Sequence, residues 1–345
     1  MKTIITALAA SATFVGCAKV NPLDFDECGY CEHTEITFQI TSLTKAAGEV
    51  FDKSSVFSVY ACHTSSDSRQ DTPASTNEAF IPGKTAGWQN NAWRLSETYH
   101  WPKAGGSLNF YCWTLNRTHL QFHPNSTAKV SVGDATGVRL ENFDISLDGD
   151  LDFMVAPAAL NKSLKTCALG TSASVPAHFR HQLAKLKVTA RTRKDYSGSK
   201  EFRVSSVTLK DVARTGSYRQ GSSESGEWKE MNIWTSGEHY DAVYGDYGGD
   251  PIELRFEKTE LPGLRTLYIP QSFEDGIGTV VIGYAVIDLY SGIVEQISES
   301  IPLRSIIPRF VNGRCYTLDI NISLEEVFWD PSIAEWTAEE REVSL

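Results

Sequence analysis

Long apolar runs are missing from this chain. The apolar, small-residue run from Ile4 to Val15 falls short of the ~20 residues that cross a bilayer as a helix. No later segment carries a helical period over three turns, which sets aside helical bundles and α/β architectures. Basic charge is also scarce, with 32 Lys and Arg against 43 Asp and Glu and a formal net charge of −11. Without basic stripes the chain cannot displace the counterions of nucleic acid, and it has no reason to be drawn to anionic lipid. Catalytic signatures are absent too. There is no Gly-x-Ser-x-Gly, no phosphate-cradling glycine loop and no His-Glu-x-x-His, so no residue set defends an enzymatic function and no cofactor is implied.

What is present is a globular composition, 41% hydrophobic and 22% charged over 345 residues, enough for two domains of ordinary size. Short apolar runs alternate with polar, Gly- and Ser-rich turns from Val50 onward, the pattern of an all-β protein. The start of the chain has the layout of an export signal: Lys2, the apolar run, then Phe14-Val15-Gly16-Cys17. A cysteine in that place resembles the lipobox of bacterial lipoproteins, where Cys17 becomes the acylated first residue of a soluble body held to the membrane by lipid. An ordinary cleaved signal with a chance cysteine is the alternative. Residues 1–16 are therefore read as signal, 17–34 as an acidic tether, 35–170 as a first β-sandwich and 171–345 as a second.

Glu35 to Thr41 is the first strand by pattern. Ile36, Phe38 and Ile40 fall on one face and Thr37, Gln39 and Thr41 on the other. The small residues around Lys45-Ala46-Ala47-Gly48 form a loop of the kind proteases cut. Further strands are expected at Val56 to Cys62, Ser107 to Trp113, twice within Val130 to Leu147, and at Phe202 to Leu209. A strand from His178 to Val188 changes parity near Leu183, which predicts a bulge or bend there. Gly216 to Gly249 reads as surface loops with a short strand. Val280 to Ile287 is apolar without alternation, as in a strand covered on both faces. In Cys315 to Ile322, Tyr316, Leu318, Ile320 and Ile322 share a face.

Candidate chemistry is thin. Cys28-Gly29-Tyr30-Cys31 with His33 is one ligand short of a closed zinc site and reads as a local disulfide or free thiols. Six cysteines besides Cys17 have no connectivity that spacing reveals. His119 and His123 lie four apart, but on strand and turn rather than helix. His178 and His181 read as structural. Asp148, Asp150 and Asp152 lack the glycine and glutamate of an EF-hand and read as a solvated turn. The tryptophans, among them Trp88, Trp93, Trp101 and Trp113, suit packing at the core edge, with carbohydrate stacking as the rival use.

Several stretches together resemble the fimbrillin family, the subunits of Bacteroidales type V pili. They are Phe14-Val15-Gly16-Cys17, Ile36-Thr37-Phe38 with Thr44-Lys45-Ala46, Trp93 with Tyr99-His100-Trp101-Pro102, Asp152 to Ala156, Phe179 to Leu186, and Gly313 to Leu318 with Val327-Phe328 and Trp336. The resemblance implies two transthyretin-like β-sandwiches in tandem and a lipid-anchored precursor at the outer membrane. It also implies a proteolytic cut after the first strand, a neighbouring subunit's strand taking the vacated groove, and adhesion to a host or bacterial surface. Ile36, Phe38 and Ile40 would be the removable plug, and the segment with Leu318, Ile320 and Ile322 a candidate donor. The family's cut follows an arginine. No arginine lies between Cys17 and Arg69 here, and Lys45 before Ala46 takes that position. The alternatives left open are an uncleaved, lipid-held anchor or accessory subunit, and a glycan-binding surface lipoprotein.

Overall fold

The computed structural model describes residues 34–40, 53–64, 79–102, 107–115, 121–133, 136–164, 174–220, 233–274 and 277–336. Strands, numbered in chain order, make up nearly all of its regular structure. The first sheet has nine of them. In spatial order they are β10 (Ser174–Ala177), β1 (Thr37–Ile40), β4 (Ala92–Leu95), β3 (Ala79–Gln89), β2 (Val56–Thr64), β5 (Ser107–Thr114), β8 (Met154–Val155) and β11 (Arg180–His181), with β9 (Ala159–Lys162) attached to β5.

This sheet curls around its own core. On a flat sheet at ~4.8 Å per strand, β1 and β5, four places apart, would be separated by about 19 Å. Yet the rings of Phe38 on β1 and Phe110 on β5 lie 6.0 Å apart, edge to face. One face of the sheet therefore wraps a single apolar cluster, to which β1, β2, β3, β4, β5 and β10 all contribute.

The second half of the chain supplies two five-stranded sheets. One runs β18 (Thr259–Leu261), β12 (Ala184–Thr192), β24 (Arg314–Ile322), β25 (Val327–Glu335), with β19 (Leu267–Tyr268) also on β12. The other runs β16 (His239–Asp246), β13 (Lys200–Ala213), β21 (Thr279–Asp288), β22 (Val294–Pro302), with β17 (Ile252–Leu254) on β13. The period-2 alternation of Leu186, Val188 and Ala190 on β12 and of Val280, Ile282 and Tyr284 on β21 sends both rows into one shared core, as in a sandwich. A two-stranded ribbon, β20 (Gln271–Ser272) with β23 (Arg309–Phe310), closes one side of it.

A four-stranded sheet joins the halves: β15 (Ile233–Ser236), β14 (Thr215–Arg219), β7 (Gly137–Asp144) and β6 (Lys129–Gly133). β7 runs into a one-turn helix, α1 (Ile145–Asp148), capped by Asp144, whose side chain accepts from the Ser146 amide at 2.8 Å. Leu140 and Phe143 from the first half meet Leu183, Tyr218, Leu267 and Ile269 from the second in a third cluster.

The structure departs from the sequence pattern in four places. The parity change at Leu183 is a change of sheet rather than a bulge, since β11 pairs with β8 while β12 begins the second sandwich. The Gly- and Tyr-rich stretch from Gly216 onward forms β14, β15 and β16, and its Tyr218 and Tyr244 are buried. Their rings pack inward among apolar side chains of the two cores. On β21, one face is core and the other half-covered, so its apolar run alternates in burial after all. Finally, Asp148 and Asp152 are buried rather than solvated. Asp148 accepts from the His123 amide at 2.8 Å and from the Ser126 hydroxyl, while Asp152 bonds His181 Nδ1 at 2.9 Å. Asp148 is thus committed to the turn of His123 and Ser126, and Asp152 to His181 on β11.

Candidate functional site

The first strand has a neighbour on each side. β1 runs parallel to β10, with Thr37 opposite Ser174 and Ile40 opposite Ala177, and antiparallel to β4, with Phe38 opposite Trp93. The chain just before it is also pinned: the Ile36 amide donates to the Tyr99 carbonyl at 2.8 Å, and the Trp101 amide to the Thr34 carbonyl at 3.0 Å. Thr37 and Ser174 share a hydroxyl hydrogen bond at 2.8 Å, and Glu35 pairs with Arg94.

Side chains complete the seat. Ile36 and Phe38 are buried and Ile40 half-buried, whereas Gln39 faces water. The Phe38 ring meets Phe57 edge-on at 5.5 Å and Phe110 at 6.0 Å, and Phe57 in turn packs on Trp93 and Phe179. Burial of Ile36 and Phe38 is worth about 3–6 kcal/mol by transfer free energy. Taking β1 away would leave a groove with two strand edges, on β4 and β10, and an apolar floor.

The strand's position in the chain matters equally. Among the described residues β1 comes first, and the next described segment begins at Lys53. Lys45 and Ala46 fall in that interval, outside the described residues; Cys17, Cys28, Cys31 and His33, ahead of β1, are outside them too.

Leu318, Ile320 and Ile322 lie elsewhere. They are fully buried on β24, which pairs over its whole length with β12 on one side and β25 on the other. β25 is the edge strand of that sheet, and its run Val327-Phe328-Trp329 lacks the two-residue alternation that marks a half-buried strand. The structure thus brings Ile36, Phe38 and Ile40 together in the first core and Leu318, Ile320 and Ile322 together in the second, without joining the two sets. β10 is only four residues long and holds a proline, too short for its pattern to mark a strand. Its signal was the alternation of Val175 and Ala177 about Pro176.

Other candidates take structural roles. Trp93 and Trp101 are buried in the first core, and Trp88 stacks edge-on against Trp93 at 5.6 Å. His181 stacks on Trp336 with ring centroids 3.7 Å apart. Cys112 is buried, and its surroundings push the thiol far above the ordinary range, away from reactivity. Cys62 and Cys112 belong to different clusters on opposite faces of one sheet. At the joint between the halves, burial acts to raise the Asp144 carboxyl, but hydrogen bonds from Arg214 and Ser146 outweigh it and hold the group below the usual carboxylate range.

A family model described as fimbrillin-like matches residues 44–336. The chain belongs to the fimbrillin-like family. Among solved structures, a fimbrial protein from Bacteroides vulgatus ATCC 8482 aligns with a TM-score of 0.58 at 13% identity, covering 88% of this chain and 100% of its own. A protein from Bacteroides uniformis ATCC 8492, described as a candidate for cell adhesion, aligns at 0.50 and 16% identity, covering 88% and 99%. At these identities the likeness is one of fold. No curated protein matches the sequence. The fimbrillin-like model begins at Thr44, so the β1 strand lies just outside the span it matches.

Proposed function

We propose that this fimbrillin-like chain is the precursor of a fimbrial subunit that serves adhesion at the cell surface and assembles by strand replacement. The observation that carries the reading is the seat of β1: the leading strand of the described chain fills a groove bounded by β4 and β10. A cut between β1 and β2, at Lys45-Ala46, would leave β1 held by non-covalent contacts alone. A strand of the next subunit with the same alternation can then take its place, main-chain hydrogen bonds giving adhesion and apolar side chains filling the pockets of Ile36 and Phe38. Before that cut, Cys17 would hold the precursor to the outer membrane by its lipid.

In this reading the molecule is two tandem transthyretin-like sandwiches, with the crossing at Gln182-Leu183, where the chain leaves the first sheet for the second. The donor is drawn from the C-terminal strands. For Leu318, Ile320 and Ile322 to serve, β24 must leave two partners, whereas β25 leaves one. No catalysis is assigned.

N-terminal sequencing of the protein in fibres sheared from cells tests the reading. A start at Ala46 is expected. A blocked, acylated Cys17 in those fibres would overturn cleavage and favour an uncleaved, lipid-held anchor, an alternative that the lysine in place of the family's arginine keeps in view.

A further inference from the structure

On the outer face of the four-stranded sheet, two arginines stand directly opposite each other, Arg139 on β7 and Arg219 on β14. Like charges in that cross-strand relation repel, and a sheet ordinarily avoids them. Among the described residues nothing relieves this pair: neither guanidinium has an ion-pair or hydrogen-bond partner there, and Arg139 Nε is buried without an acceptor. The nearby carboxylate, Glu141, is taken by Lys129 at 3.2 Å. In a chain of net charge −11, two unmatched guanidiniums held side by side are out of keeping with the rest of the surface.

They line a cleft of about 510 Å³ together with Glu141, Asn142, Ser217, Tyr218 and Thr235. The cleft follows from a local irregularity. β7 and β14 lose register between Gly216 and Tyr218, and Asn142 adopts a left-handed backbone with φ 54°, so the sheet opens beside the arginines. The rim is therefore two planar cationic forks, the Glu141 carboxylate with its Lys129 partner, and amide and hydroxyl groups from Asn142, Ser217 and Thr235.

We propose that this cleft binds a carboxylated sugar, with Arg139 and Arg219 sharing the carboxylate and the amide and hydroxyl side chains meeting the sugar's hydroxyls. Bidentate arginine contacts suit a planar carboxylate, and the amide and hydroxyl groups beside them suit a polyol better than a bare ion. The assignment deepens the adhesive reading of the fimbrial subunit and rests on it for its biological use, since the ligand would be a surface glycan.

Calorimetric titration of the intact chain with N-acetylneuraminic acid and with glucuronic acid separates the two sources of such a carboxylate. Binding of at least one is expected, with tenfold or greater weakening on esterifying the carboxylate, in R219Q, and in the double variant R139Q/R219Q. Arg219 is exposed, so R219Q tests the site without disturbing the core. Raising salt from 50 to 500 mM should weaken binding severalfold. Equal binding of the acids and their methyl esters, or unchanged binding in R139Q/R219Q, would overturn the proposal. Acetate or inorganic phosphate binding as tightly as the sugars would overturn the saccharide assignment. Fibre assembly by R139Q/R219Q, followed separately, is expected to persist, so loss of sugar binding and failure of strand replacement give different results.

Discussion

Phe38 carries more of the first core than its place near the chain's beginning suggests. Its ring bridges β2 and β5 through Phe57 and Phe110, so Phe38→Ala removes the contact that closes the curled sheet. A loss of about 3–5 kcal/mol is expected, read as a lower midpoint in urea with the slope unchanged. A solvent-facing control on the same strand, Gln39→Ala, should shift the midpoint little. Asp144 is a residue whose charge matters to the joint. Its folded carboxyl titrates below its unfolded value, so the stability it contributes is present above the unfolded pKa of ~3.9 and is lost as pH falls through the lower, folded one. Thermal melts from pH 6 to pH 2 should show that loss, and Asp144→Asn should be less stable at pH 6 and flatter across the acid limb. Arg214→Ala should have the same sign but a smaller effect, because the guanidinium is exposed and screened.

At the level of elements, β1 is a separable part. A chain beginning at Ala46 is expected to have a lower melting temperature than one beginning at Thr34, and to regain it when a synthetic peptide of residues 34–41 is added. Peptide with Phe38 and Ile36 replaced by Ser should fail to restore it. If the truncated chain melts where the longer one does, the seat of β1 contributes nothing to holding the fold. β1 was legible in the sequence because its alternation is complete in itself: Ile36, Phe38 and Ile40 against Thr37, Gln39 and Thr41. β2, β5 and β24 were legible for the same reason. The strands that hid were those whose pattern depends on partners. β14 and β16 bury tyrosines whose rings pack inward, β25 buries one face only in part, and the two-faced run at Leu183 belongs to two sheets. Strand pairing was harder still, since nothing local in Ser174–Ala177 says that it lies beside Thr37–Ile40. The arginine pair was invisible for that reason too: Arg139 and Arg219 are eighty residues apart in sequence and meet only through the register of β7 and β14.

Across the whole molecule the third cluster ties the halves together. Tyr218, from the second half, packs its ring against Phe153 of the first at 5.1 Å, and β14 pairs with β7 over the same interface. The described chain is therefore expected to unfold in one calorimetric transition. Tyr218→Ala should lower that transition by the equivalent of about 3–5 kcal/mol or split it in two, with the first sheet and the second sandwich melting apart. Two well-separated transitions in the unsubstituted chain would mean that the joint is energetically weak despite its burial.

The hydroxyl bond from Thr37 to Ser174 spans 137 positions, and that distance sets an order of events. A ribosome delivers the leading segment early, but the parallel neighbour that completes its berth is not made until more than a hundred further amino acids have followed. Closing so long a loop is slow and entropically disfavoured relative to the local hairpins that can form meanwhile. During that interval the berth is vacant while the rest of its walls take shape, so the newborn subunit passes through a stage able to accept an extended segment before it has secured its own.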